Sequence, residues 1–232
     1  MNNRSNSRYS TLRSNPARYP TTTVMDGTAR RVLRNTYLLL SLCLAFSAVT
    51  AGVTAALRLP GPGILITMAG YFGLLYLVTK NRDRGLGVGL VFALTGFMGY
   101  TLGPIISHYL KMPNGTMTVM MALGGTAAIF LGMSAYALVT KRDLSFMRGM
   151  LTVGILVAFV AALAGIFLQI PALSLTVSAV FVLLMSGMIL YETNNIVRGG
   201  ETNYVMATVS LFVSIFNLFT SLLQLLGFAN KE

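Results

Sequence analysis

Two ionisable side chains lie inside or at the edge of long apolar runs. Any chemistry that they perform there would use a charge that is removed from water. Glu192 follows the apolar run that ends at Tyr191, and His108 lies beside Tyr109 near the end of an earlier run. Burying an ionisable group at membrane depth is costly, so such a residue indicates a functional role or a specific partner. For His108, a water-facing position at the end of a helix is the expected role. Glu192 is therefore the main candidate.

Side chains that bear oxygen or amide groups lie close to Glu192 and in the last apolar run: Asn194, Asn195, Ser214 and Asn217. If the last two runs pack side by side, these groups could hydrogen-bond to the carboxylate or provide the oxygen ligands that Ca²⁺ prefers. The alternative is a solvated carboxylate at a helix end, and position alone leaves both open. Glu192, Asn194, Ser214 and Asn217 are the candidates for an ion pathway or a pH-sensing site.

Signals of enzyme chemistry are nearly absent from the sequence. The segment GMSA at 132–135 weakly resembles the serine motif of intramembrane rhomboid proteases. Such a serine needs a histidine base within hydrogen-bond reach, and the sole histidine, His108, belongs to an earlier run. No paired acids, Cys/His cluster or Walker-type phosphate loop occurs in the apolar runs. We expect no catalytic residue, no cofactor and no bound metal.

The composition excludes a soluble protein. Of the 232 residues, 55% are hydrophobic and 10% are charged, and the mean hydropathy is +0.72. Soluble domains carry about 25% charged residues, so this chain has too few charges to cover a water-facing surface. It is predicted to be an integral membrane protein with the lipid bilayer as its surroundings.

The first 28 residues are polar and rich in Ser, Asn, Thr and Arg, and they lack apolar periodicity. Such a composition cannot bury a core, so 1–28 is predicted to be a disordered basic tail and 29–232 the transmembrane domain. The tail arginines that a partner could engage are Arg4, Arg8, Arg13 and Arg18. This segment is not expected to be a secretory signal peptide. A mitochondrial transit peptide is the alternative, although Pro16 and Pro20 disfavour an amphipathic helix there.

Seven apolar runs follow, near 33–57, 62–79, 86–107, 116–140, 149–169, 171–191 and 203–228. Backbone groups in hydrocarbon must be paired internally, so the runs are helices or strands of a closed barrel. Barrel strands alternate polar and apolar residues over about 10 positions, and these runs do not. The prediction is an all-α, polytopic membrane protein built as a seven-helix transmembrane bundle.

The basic residues predict the orientation. Seventeen Lys and Arg against six acids give a net charge of +11, which in a soluble protein would indicate nucleic-acid binding. Here they form short clusters between apolar runs, with 14 on the side of the N-terminus and three on the other. The positive-inside rule places the N-terminus in the cytoplasm and the C-terminus outside, unless the seventh run is broken or re-entrant. We expect no nucleic-acid partner.

Glycines in the third run favour close helix packing. Gly96, Gly99 and Gly103 share a small-residue spacing that lets two backbones approach. Pro104 removes a backbone donor and could kink the helix. The expected role of all four residues is helix packing in a compact bundle.

Several segments together resemble the Bax inhibitor-1 family, and the resemblance extends from about residue 30 to 228. They are GFMGYTLGPII at 96–106, ALGGTA at 122–127, ALVTKRD at 137–143, LYET at 190–193, GGETNY at 199–204 and IFNLF at 215–219. The bacterial YccA-like branch of the family fits best, including the basic tail, which implies a location in the bacterial inner membrane. The family resemblance implies six helices around a central seventh.

The resemblance also implies two functions. YccA-like relatives bind and modulate the membrane-anchored AAA protease FtsH and are its substrates, which is our first hypothesis for this chain. Other family members are pH-sensitive Ca²⁺ leak channels gated by two aspartates on the last two helices, and a Ca²⁺ or H⁺ leak is the alternative. In this sequence Glu192 occupies the first aspartate position and Ser214 the second. A switch built on two coupled acids is therefore in doubt.

Overall fold

The structure, a computed structural model, describes residues 27–229, apart from the side chain of Ile166, and all regular elements in that range are helices. They are α1 Gly27–Ala56, α2 Ile64–Lys80, α3 Gly85–Leu110, α4 Gly115–Val139, α5 Met147–Leu168, α6 Pro171–Val197 and α7 Tyr204–Ala229. The prediction of seven apolar helices is confirmed. The tail arginines at positions 4, 8, 13 and 18 lie outside the described residues.

Six of the seven helices are long and apolar enough to cross a membrane. The exception is α2, whose 17 residues rise about 25 Å, less than the roughly 30 Å of the hydrocarbon core. The last helix, which the sequence left open as a broken or re-entrant segment, is a continuous helix of 26 residues. Chain reversal between successive helices places the loops 80–84, 140–146 and 198–203 at the end where α1 begins. We call this the basic end, because it carries ten of the twelve described Lys and Arg residues.

Helix α7 occupies the centre of the bundle. Half of the residues in its apolar stretch are buried, compared with 11% in that of α5. It packs against α1, α3, α4 and α6, whereas α2 and α5 make their main contacts with α3 and α6 respectively. Its buried side chains include Leu211, Phe212, Leu218 and Leu223. The central position implied by the family resemblance is therefore found in the structure.

Helices α1 and α3 pack most closely at the predicted small residues. A Cβ atom built on Gly99 would lie 2.5 Å from the carbonyl oxygen of Ser47, and one on Gly103 would lie 2.5 Å from Cβ of Thr54. One on Gly96 would lie 2.6 Å from the ring of Phe46. Helix α3 continues through Pro104 as far as Leu110. Only glycine permits this separation of the two helix axes.

Helix α6 runs six residues farther than the sequence indicated, because the polar residues after Tyr191 are buried inside the bundle. Thr193 lies 3.3 Å from the Tyr37 hydroxyl, and the amide of Asn194 donates to the carbonyl of Arg142 at 3.5 Å. Buried polar groups with partners do not end a helix as solvated ones do. The extension places Glu192 within the helix rather than in a loop.

Candidate functional site

A polar cavity of about 390 Å³ lies at the basic end, between α5, α6 and the first turns of α7. It is lined by Arg148, Thr152, Met188, Tyr191, Glu192, Asn195, Gly200, Glu201 and Ser210. Three of these residues are charged, and all three come from different segments of the chain. We call this space the polar cavity.

Glu192 is the buried charged residue of the polar cavity, with 8% of its surface exposed. The Ser210 hydroxyl provides its side-chain hydrogen bond, and Glu201 and Arg148 are the charged groups that act on it. A carboxylate in this position has a donor, a like charge and an opposite charge within reach. The arrangement can bind or release a proton and attract a cation.

The other predicted candidates do not meet the carboxyl of Glu192. The Ser214 hydroxyl donates to the carbonyl of Ser210 at 2.9 Å, within its own helix. The amide of Asn217 likewise donates to the carbonyl of Val213, at 2.8 Å. Asn194 points to the loop 140–146. Of the four candidates, only Glu192 lines the polar cavity.

Sequence reasoning missed two important residues of the cavity. Ser210 lies one helical turn before Ser214, so the periodicity of α7 could have identified it as the alternative partner of Glu192. Glu201 provides the second carboxylate, and its own oxygen accepts the backbone N–H of Asn203 at 2.7 Å. The second acid thus comes from the loop before α7, and not from the Ser214 position.

The loop 198–203 ties the loops of the basic end together beside the cavity. The Asn203 side-chain oxygen accepts the N–H groups of Val205 at 3.0 Å and Met206 at 3.1 Å, which makes it the N-cap of α7. Its amide donates to the Asp83 carboxylate at 2.8 Å. The Arg198 guanidinium donates to the carbonyl of Lys141. One loop therefore fixes the start of α7 and the positions of two others.

Asp143 is the exposed acid of the loop 140–146. The backbone N–H of Ser145 donates to its carboxylate at 2.9 Å. That hydrogen bond, the Ser145 hydroxyl and the Arg198 charge together hold the pKa of Asp143 below its usual value. Asp143 therefore stays ionised and stabilises the turn that leads into α5.

Helix geometry separates the residues of the weak serine motif from the histidine. Ser134 is buried and lies about 28 Å along α4 from the end next to His108. Within 27–229 no group of three or more His, Cys, Asp or Glu side chains could hold a metal ion. The described residues thus offer a polar site built on carboxylates rather than a nucleophile with its base.

Comparison with known proteins finds similarity over most of the chain. The family described as inhibitor of apoptosis-promoting Bax1 matches residues 29–231. An Escherichia coli K12 protein named modulator of FtsH protease YccA is 54% identical over 202 residues, which cover 87% of this chain and 92% of the relative. An uncharacterised protein of Pseudomonas aeruginosa is 52% identical over 201 residues, with 87% and 90% covered. A membrane protein of Vibrio cholerae is 43% identical over 203 residues, with 87% and 91% covered.

Proposed function

This chain belongs to the family of inhibitors of apoptosis-promoting Bax1, and from that premise we propose that it binds and modulates an FtsH-type AAA protease in a bacterial inner membrane. The observation that carries the proposal is the 54% identity, over 87% of this chain, to a protein named modulator of FtsH protease. The same relative in another E. coli strain is named an inner membrane protein. In this role the chain regulates a protease and catalyses no reaction itself.

The first step of the proposed mechanism is engagement of the tail. A processive AAA protease grips an unstructured segment, and the composition of residues 1–28 predicts one. The positive-inside rule puts the basic end, where α1 begins, in the cytoplasm and the C-terminus in the periplasm. The arginines at positions 4, 8, 13 and 18 then lie on the side of the membrane where the protease domain acts.

The second step is resistance to extraction. Pulling on the tail applies force to α1, which packs against α3 at the glycines and against central α7. Removing α1 would expose the buried side chains of Leu40, Cys43 and Ala51 in one cooperative step. A protease held on such a substrate turns over other membrane proteins more slowly.

Deleting residues 2–24 tests this proposal. The shortened protein should fold, should have a longer lifetime in cells than the wild type, and should no longer co-purify with the protease. A full-length chain with Arg4, Arg8, Arg13 and Arg18 changed to Gln is the matched control, because it keeps the length of the tail and removes its charge. Unchanged lifetime of the deleted protein, together with unchanged turnover of other protease substrates, would refute the proposal.

The polar cavity favours a second function, a leak of Ca²⁺ or H⁺. The supporting observation is that Glu192 and Glu201 line one cavity with Asn195 and Ser210, which gives several oxygen ligands at one site. Purified protein in dye-loaded liposomes tests it at pH 6 and pH 8. A flux that the double change Glu192→Gln and Glu201→Gln abolishes would support the leak. A flux equal to that of empty liposomes at both pH values would eliminate it.

A further inference from the structure

A second cavity, separate from the polar one, lies in the middle of the bundle between α1 and α4. Its volume is about 470 Å³, and its lining is almost entirely apolar. Small residues form its two edges, Ala48 and Gly52 on α1 and Ala127 on α4, and Phe216 and Phe219 of α7 form its floor. The three edge residues are exposed, so the cavity opens sideways. We call it the apolar window.

A contact between α1 and α4 closes the window toward the basic end. There the rings of Tyr37 and Phe130 meet with their centres 5.8 Å apart. Toward the opposite end, Ala51, Leu102 and Ile106 line the window itself. The edge residue Ala127 lies halfway along α4, so the opening reaches mid-depth of the spans, where the bilayer provides hydrocarbon and no water.

The size of the window matches one acyl chain. A 150 Å³ cavity in a protein core holds benzene, with six carbons, so about 470 Å³ holds roughly 18 carbons. Thr126 is the one residue of α4 in the lining with a polar side chain, and its hydroxyl donates to the Ala122 carbonyl at 2.7 Å. Lipid tails are as apolar as these walls, so the gain from filling the window comes from dispersion contacts.

Positive charge lies at the level where the head group of such a lipid would be. Arg58 follows α1 about 9 Å beyond Gly52, and Lys111 follows α3 about 8 Å beyond Ile106. Both side chains are exposed. The four described acids all belong to the basic end, on the far side of the bundle: Asp83, Asp143, Glu192 and Glu201. No described carboxylate competes there for the two cations.

We propose that the apolar window is a binding site for one anionic phospholipid of the leaflet opposite the basic end. One acyl chain fills the window over the phenylalanines of α7, and Arg58 and Lys111 bind the phosphate. The site uses neither the tail that the proposed protease function requires nor the polar cavity.

Native mass spectrometry of protein purified in mild detergent tests the site. The wild type should retain one phospholipid per chain. The changes Ala127→Phe and Gly52→Leu fill the window from its two edges and should reduce that retention at least tenfold. A Cβ atom at position 52 meets no atom within 4 Å, so Gly52→Leu should fold. The matched control is Ala128→Phe, which is exposed on the same helix but does not line the window.

The charge part of the proposal has its own measurement. Phosphatidylglycerol added to delipidated protein should raise the melting temperature more than phosphatidylcholine does, and Arg58→Gln with Lys111→Gln should remove that difference. Equal retention by Ala127→Phe and Ala128→Phe would overturn the site, as would no retention by the wild type or no preference for phosphatidylglycerol. A dimer or a bound partner helix that Ala127→Phe releases would show a different occupant and would also overturn it.

Discussion

Helix α7 faces the polar cavity with Ser210 in its second turn and the apolar window with Phe212, Phe216 and Phe219 in its middle turns. Around the polar cavity, directional hydrogen bonds fix the loops, and each bond has a named donor and acceptor. Around the window, the shapes of small and aromatic side chains fix the helices. The two regions should therefore respond to different kinds of mutation. Added volume at the close contact of α1 and α3 should damage the window side, and lost hydrogen bonds or charges should damage the cavity side.

The largest expected effect on stability comes from adding volume between α1 and α3, two helices that line the window. Gly99→Leu forces a side chain to a place where even a Cβ atom would lie 2.5 Å from a backbone oxygen. We expect a loss of about 3 kcal/mol or more, or no folded protein, because overpacked backbones must separate. Gly124→Leu on α4 is the control, since no atom lies within 4 Å of its Cβ position. Similar yield and melting temperature for both variants would contradict the importance of this contact.

A smaller effect should follow from the loss of the cap on α7 beside the polar cavity. Asn203→Ala removes the acceptor for two N–H groups and the bond to Asp83. The expected loss is about 1 to 2 kcal/mol, measured by unfolding in mixed micelles. Asn203→Ser keeps a capping oxygen and should recover part of that loss. Equal stability of the alanine and serine variants would mean that the cap contributes little.

Glu192→Gln should act on pH dependence rather than on folding. The glutamine keeps the shape and the hydrogen bond with Ser210 but cannot titrate. Wild-type protein should change its melting temperature between pH 5 and pH 8, and the variant should be flatter, because a buried carboxylate couples protonation to stability. Melting curves of both proteins in detergent provide the comparison. Identical slopes would mean that protonation of Glu192 is not coupled to the stability of the fold.

The smallest effect concerns Asp143, at the exposed edge of the cavity side. Hydrogen bonds from Ser145 lower its pKa, so the folded protein releases this proton more readily than the unfolded chain does. Its contribution to stability is present above the unfolded pKa of about 3.9 and disappears as pH falls through the lowered value. Asp143→Asn should melt slightly below the wild type at pH 7 and together with it near pH 2. A constant difference at both pH values would point to a cause other than titration.

The sequence predicted the window side better than the cavity side. The runs of apolar residues and the spacing of Gly99 and Gly103 follow from helix geometry, which is local. The cavity depends on segments far apart in sequence, and its second carboxylate, Glu201, lies in a loop that composition marks as solvated. Hydropathy also ended α6 at Tyr191, since it cannot distinguish a buried and partnered Asn194 from an exposed one. Local periodicity therefore predicts where helices run, and only the fold shows which polar groups meet.

The short helix α2 has a consequence for the membrane itself. Its 17 residues leave a hydrophobic mismatch of about 5 Å with an average bilayer, and each ångström of mismatch costs a fraction of a kcal/mol. The bilayer beside α2 must become thinner, or the side chain of Lys80 at the end of the helix must extend its charged end toward the head groups. Since α2 makes its main contacts with α3 and most of its residues are exposed, the thinning should lie on the side of the bundle where α2 packs. The protein should consequently concentrate in thinner patches of membrane, and the bilayer around it should be thinner beside α2 than on its other sides.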